Sequence, residues 1–166
     1  MGIFQIALIL ATFLCSLVAG FLFAFAIVVM PGIRSLNDRE FIRAFQVIDG
    51  VIQNNQPLFL LVWVGSALAL VAAVALGFGI GQLDGVGRLL IILAALVYLL
   101  GVQLPTVTIN IPLNNQLQTL DVEAMNETTQ KAARKEFEPR WNQWNSIRAA
   151  LASLASALLI ILLFRL

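Results

Sequence analysis

Two sets of polar side chains lie where a lipid-facing helix would carry none. The first is in Pro139 to Arg148, where Trp141, Trp144, Asn145 and Arg148 run straight into an apolar segment over 149–164. At helical spacing Trp141, Asn145 and Arg148 fall on one face, and Trp144 lies one turn before Arg148. The second is Gln103, Thr106, Asn110 and Asn114, whose steps of three, four and four draw one polar stripe along a helix. A guanidinium offers a fixed fork of donors and a permanent charge. Held in hydrocarbon, that charge costs about 2.5–3.5 kcal/mol at the bilayer centre and less near its rim. Something must make it tolerable. Either Arg148 snorkels to the interface between anchoring tryptophans, or it faces a polar pocket inside the protein.

The elements that must position these groups are membrane spans. Of the 166 residues 60% are hydrophobic and 11% charged, with a mean hydropathy of +0.93, against about 25% charged in soluble domains. A net charge of +1 excludes the basic face that nucleic-acid binding needs. There is no histidine, which removes imidazole haem ligation, Ser-His-Asp and Cys-His nucleophiles and nearly every zinc site. No metal site is expected. The lone Cys15 lies in an apolar run and reads as a small packing residue.

Charge-free runs place four spans at about 3–30, 57–80, 88–112 and 141–164 in a single integral membrane domain over 1–166. Ile3–Met30 is about 42 Å of helix. It lacks a basic leader and its apolar run is long, so it reads as an uncleaved first span. Small residues Ala11, Cys15 and Ala19, beside Ser16, Gly20 and Ala24, let a neighbouring helix approach. Pro31-Gly32 is expected to end that span, and Pro57, Pro112 and Pro139 to mark other span ends on the same side. Pro105 should free a carbonyl and kink the polar half of the third span.

Two long connectors lie on that side. Asn37 with Glu40 reads as a capping box, followed by Phe41, Ile42, Phe45, Ile48 and Ile52 at helical spacing. This predicts a short amphipathic helix on the membrane surface or over the mouth of the bundle, with Asp49 elsewhere around the turn. The polar connector over 120–138 is expected to be partly helical, and Asn126-Glu-Thr128 matches a glycosylation sequon only weakly. Eight of the ten Lys and Arg residues fall on the connector side, with only Arg88 and Arg165 opposite. That bias favours cytoplasmic connectors in a cell membrane and outside termini. The fold class is therefore all-α: a four-helix transmembrane bundle.

Thr108-Ile-Asn110-Ile-Pro112-Leu-Asn114, together with Trp141-Asn-Gln-Trp144-Asn145-Ser-Ile-Arg148, resembles the anthrone-oxygenase-like family of small four-span membrane proteins. The shared elements are N-x-P-L-N closing span three and W-x-x-W-N-x-x-R opening span four. Val29-Met30-Pro31-Gly32 and the segment from Phe45 to Pro57 are also similar, although Gln56 separates Asn55 from Pro57 where an adjacent pair is expected. The resemblance implies oxidation of an anthrone to a quinone by O2 with no cofactor. An anthrone has an acidic C–H beside an aromatic ketone, and its carbanion can pass an electron to O2.

On that resemblance Arg148 would pair with the enolate, while Asn110, Asn114 and Asn145 would supply neutral hydrogen bonds. Trp141 and Trp144 would stack on the rings, with Gln103 and Thr106 completing the binding wall. The base is open among Asp49, Glu138 and water. The alternative is a non-catalytic membrane protein that binds a small molecule or lipid, or serves as an assembly subunit. No span carries Asp or Glu, which argues against an ion-coupled carrier.

Overall fold

The computed structural model describes residues 2–81 and 83–166. Helices account for nearly all of it: α1 (Ile3–Arg34), α2 (Asp38–Gln53), α3 (Pro57–Gly79), α4 (Gly85–Gln118) and α5 (Glu127–Phe164). All but α2 are long and apolar enough to cross a membrane. The protein is an all-α four-helix bundle and an integral multi-pass membrane protein.

Helix α1 packs along both α3 and α5, and α4 packs along α5. Contact between α3 and α4 runs chiefly through Gly85–Tyr98, so their connector-side halves diverge. Lipid tails are as apolar as leucine, so close packing rather than expulsion from water holds such helices together. Ala11, Cys15 and Ala19 are buried in that packing, whereas Ser16, Gly20 and Ala24 face outward. Phe13, Leu17, Leu61, Leu68 and Leu93 form part of the exposed apolar surface that meets lipid. Gly101 brings α4 against α5, because a Cβ there would stand 2.6 Å from Leu151 Cδ1. Gly101→Val is therefore expected to destabilise the bundle by about 1–3 kcal/mol, read as an earlier unfolding midpoint in a micelle denaturation series.

Pro57 opens α3 as expected, but Pro31, Pro112 and Pro139 lie inside helices rather than at their ends. Helix α1 runs through Pro31 to Arg34, α4 runs through Pro105 and Pro112 to Gln118, and α5 starts at Glu127 and runs through Pro139. The reason is a wider turn. Phe25–Val29, Leu99–Gln103 and Thr106–Asn110 are π-helical, and each ends two residues before Pro31, Pro105 or Pro112. Met30, Leu104 and Ile111 donate their N–H to the carbonyl five residues back. Such a turn moves away the carbonyl that a proline ring would strike, and the helix continues. Pro139 is accommodated without one.

Helix α2 covers the connector end of the bundle. Asn37 Oδ1 accepts from Glu40 N at 2.9 Å, as its capping pattern predicts. Phe41 and Phe45 set their rings against Phe137 and, for Phe45, Trp141. Gln46 Nε2 donates to the carbonyls of Leu117 (2.9 Å) and Leu120 (3.0 Å), and Gln118 Nε2 donates back to the Gln46 carbonyl at 2.9 Å. Gln46 thus ties α2 to carbonyls at and just beyond the end of α4, where Leu117 also accepts from Leu120 N. Arg134 on α5 donates to Asp38, to the carbonyls of Leu36 and Arg34, and to Glu138. The connector is clamped at both ends. Asn126, the sequon residue, caps α5 by accepting from Thr129 N at 2.9 Å. Asn55 takes a left-handed turn (φ 58°), and Gln56 then caps α3 through Phe59 N, which accounts for the residue inserted before Pro57.

Candidate functional site

The divergence of α3 from the second half of α4 leaves a cavity of about 440 Å³ under α2, within the range of small-molecule sites. Most of its wall is aromatic and aliphatic. Phe59 and Trp63 on α3 stack at 5.4 Å, with the Phe21 ring edge-on to both. Leu60, Val64, Val107 and Ile111 line the cavity and are also exposed on the outer face of the bundle. The cavity therefore opens sideways between α3 and α4, toward lipid.

Against this apolar wall stands a guanidinium. Arg148 is 4% exposed, and no carboxylate lies within ion-pair distance of it among the described residues. It does not reach the interface. Nη1 donates to Thr106 Oγ1 at 2.9 Å and Nη2 to Asn145 Oδ1 at 3.2 Å. Asn145 is itself fixed by donating to the Leu22 carbonyl at 3.1 Å, and Thr106 Oγ1 donates to the Val102 carbonyl at 2.7 Å. Arg148 Nε is buried with no partner. Beside it in the cavity wall, Asn110 is 2% exposed and neither its oxygen nor its nitrogen has a hydrogen-bond partner. A buried, unpaired polar atom costs about 1–3 kcal/mol. Three such atoms belong to residues that line one cavity, and one of them is on a cation without a counter-charge, so this wall keeps unmet hydrogen-bonding capacity.

Seven of the eight expected site residues line this cavity: Arg148, Asn110, Asn114, Asn145, Trp141, Gln103 and Thr106. The exception is Trp144, which is half-buried and lies outside the lining, because α5 turns its 141/145/148 face inward. Trp141 is no interfacial anchor either. It is 4% exposed, packed against Phe25 and Phe45, and its Nε1 donates to Asn114 Oδ1 at 2.7 Å. Asn114 thus holds Trp141 on one side and donates to Asp49 Oδ1 at 2.7 Å on the other. Gln103 makes only long contacts, 3.4 Å to the Trp63 carbonyl and 3.4 Å to the Tyr98 hydroxyl.

Of the two carboxylates considered as bases, only Asp49 lines the cavity. Glu138 pairs with Arg134 at 2.7 Å. Asp49 is 3% exposed and shares the buried face of α2 with Phe41, Ile42, Phe45 and Gln46, contrary to the outward position expected of a charge. The aromatic wall from α1 and α3 went unread in the sequence. Its signal was the four-residue spacing of Phe21 with Phe25 and of Phe59 with Trp63, which lies inside otherwise ordinary apolar runs.

Neither a curated protein nor a solved structure matches the chain. A family model described as anthrone oxygenase matches residues 54–158, a segment that carries α3, α4 and most of α5 with Asn110, Asn114, Asn145 and Arg148. It covers well over half of the sequence, and the chain belongs to that family.

Proposed function

We propose that the protein is a membrane-embedded oxygenase for a lipophilic, anthrone-like phenolic substrate. The observation that carries this reading is the buried, carboxylate-free guanidinium of Arg148 beside the unpartnered amide of Asn110 in one cavity. A flat ring system would lie along Phe59, Trp63 and Phe21, with its carbonyl oxygen toward Arg148 Nε and the Asn110 amide. Loss of the acidic C–H proton then places negative charge on that oxygen. Donors already in position stabilise it without reorganisation. The resulting carbanion gives one electron to O2, and superoxide and the organic radical combine at the same carbon. Loss of water from the hydroperoxide leaves a second carbonyl, so that anthrone and O2 yield quinone and water.

The sideways opening supports a route from the bilayer. Val64→Trp would fill it with a ring from the α3 edge, where Val64 is half exposed. We expect kcat/KM for an anthrone to fall about tenfold or more while thermal unfolding is unchanged, measured by initial rates across several micelle concentrations. Without Arg148, which is buried, seven Lys and Arg residues still lie on the connector side, and that side is assigned to the cytoplasm.

The test adds purified protein in micelles to an anthrone in air and follows quinone absorbance. Faster quinone formation than in micelles alone, lost on substitution of Arg148, supports the oxygenase. If the anthrone binds but quinone forms no faster, the site is a binding site and the catalytic reading falls.

A further inference from the structure

Arg148 is not the only polar anchor of the cavity. At the α2 end the Asp49 carboxylate lines the same space and is 3% exposed. Like Arg148, it has no ion-pair partner among the described residues. It is instead held by three side-chain amides. Asn114 Nδ2 donates to Oδ1 at 2.7 Å, while Gln53 Nε2 and Gln118 Nε2 donate to Oδ2 at 2.8 and 3.0 Å. A carboxylate has about four acceptor sites, so Oδ2 is filled and one site on Oδ1 is free.

The two charges do not meet. Arg148 is tied to Thr106 and Asp49 to Asn114, eight residues apart on α4, which is roughly 12 Å along the helix axis. Asn110, with no partner, stands between them. Among the described residues no charged side chain pairs with either charge, and the amide network holds them apart along an aromatic-walled cavity. Each end asks for different chemistry. The guanidinium takes an oxygen acceptor or oxyanion, and the free site on Asp49 takes a hydrogen-bond donor.

We propose that Asp49 is a second ligand anchor, which takes a hydroxyl donor at the end of the ligand remote from the oxygen held by Arg148. The substrate class is then narrower than a lipophilic phenol: a fused-ring compound with a hydroxyl at the Asp49 end, remote from the oxygen held by Arg148. This rests on the substrate-pocket reading above. It makes Asp49 a specificity residue, since a site built to receive a hydroxyl rejects an analogue without one.

The experiment is a set of binding titrations read by quenching of Trp63 and Trp141, which both line the cavity, and so is independent of turnover. Three probes are compared in the same micelles. They are β-naphthol, the naphthalenediol with a second hydroxyl at the far end of the same long axis, and the dimethyl ether of that diol. On wild type the diol is expected to bind about tenfold or more tighter than β-naphthol, and the ether is expected to lose that gain, because it offers Asp49 only an acceptor. In Asp49→Asn the advantage of the diol shrinks to about threefold or less, with helical circular dichroism in the same micelles as the check on folding. Equal binding of the three probes by wild type, or an advantage that survives Asp49→Asn, overturns the proposal and leaves the pocket reading standing. If no probe binds at all, both fail together. The wild-type comparison decides even if the variant does not fold.

Discussion

Arg148→Met is expected to reduce quinone formation about a hundredfold to a thousandfold without lowering the stability of the bundle. The two effects have separate physical causes. Catalytic loss follows from removing the cation next to the developing oxyanion, with no other cation among the described residues that line the cavity. Stability follows from the desolvation of a charge that no carboxylate offsets. Replacing buried charges by apolar groups of similar shape is often neutral or stabilising by about 1–4 kcal/mol. Against that, Asn145 Oδ1 loses the donor it now has, which costs about 1–3 kcal/mol. Thr106 keeps its bond to the Val102 carbonyl. The terms nearly cancel. An arginine held only for structure would behave differently, because its removal would lower the unfolding midpoint. Parallel measurement of quinone rate and micelle denaturation separates the two cases.

Asn110→Leu should move stability and activity in opposite directions. Both amide atoms of Asn110 are buried and unpartnered, so the wild-type side chain carries an uncompensated desolvation penalty in the empty protein. An apolar side chain of similar length removes it and is expected to stabilise by about 1–3 kcal/mol. Leucine has the same number of side-chain heavy atoms and the same branching, and Asn110 lines the cavity, so the change adds little volume. The same change deletes the donor next to Arg148 Nε, and we expect kcat/KM for an anthrone to fall about ten- to a hundredfold. A residue kept at the expense of stability is a mark of function rather than of folding. Should Asn110→Leu leave the rate intact, the amide has no part in the site.

The sequence carries the spans plainly, since four long charge-free runs have no other use. It also carries the polar wall of the cavity. Gln103, Thr106, Asn110 and Asn114 keep helical spacing, and all four line the cavity, even with π turns at Leu99–Gln103 and Thr106–Asn110. The helix ends at Pro31 and Pro112 differ from expectation because a proline looks the same in sequence whether it ends a helix or follows a widened turn. Trp144 was misassigned for a rotational reason. At about 100° per residue, Asn145 and Trp144 flank Arg148 at about 60° and 40° on opposite sides. Only the positions of α1 and α4 decide which of them turns inward. Asp49 was hidden by its charge, which reads as a solvent-facing residue. Three amides, from Gln53, Asn114 and Gln118, are what make its burial tolerable. Two of them come from another helix, and no local pattern announces them.

At the centre of this account is a positive charge that waits inside the membrane for the oxyanion of a ligand. The most direct measurement is the titration of a chromophoric phenol, β-naphthol, bound to the protein in micelles, followed by its phenolate absorbance. With Arg148 as its partner the bound phenol should ionise at lower pH than in empty micelles, and Arg148→Met should remove the shift. A bound phenol that ionises at the same or higher pH than in empty micelles would mean that Arg148 does not face the ligand, and would contradict the account.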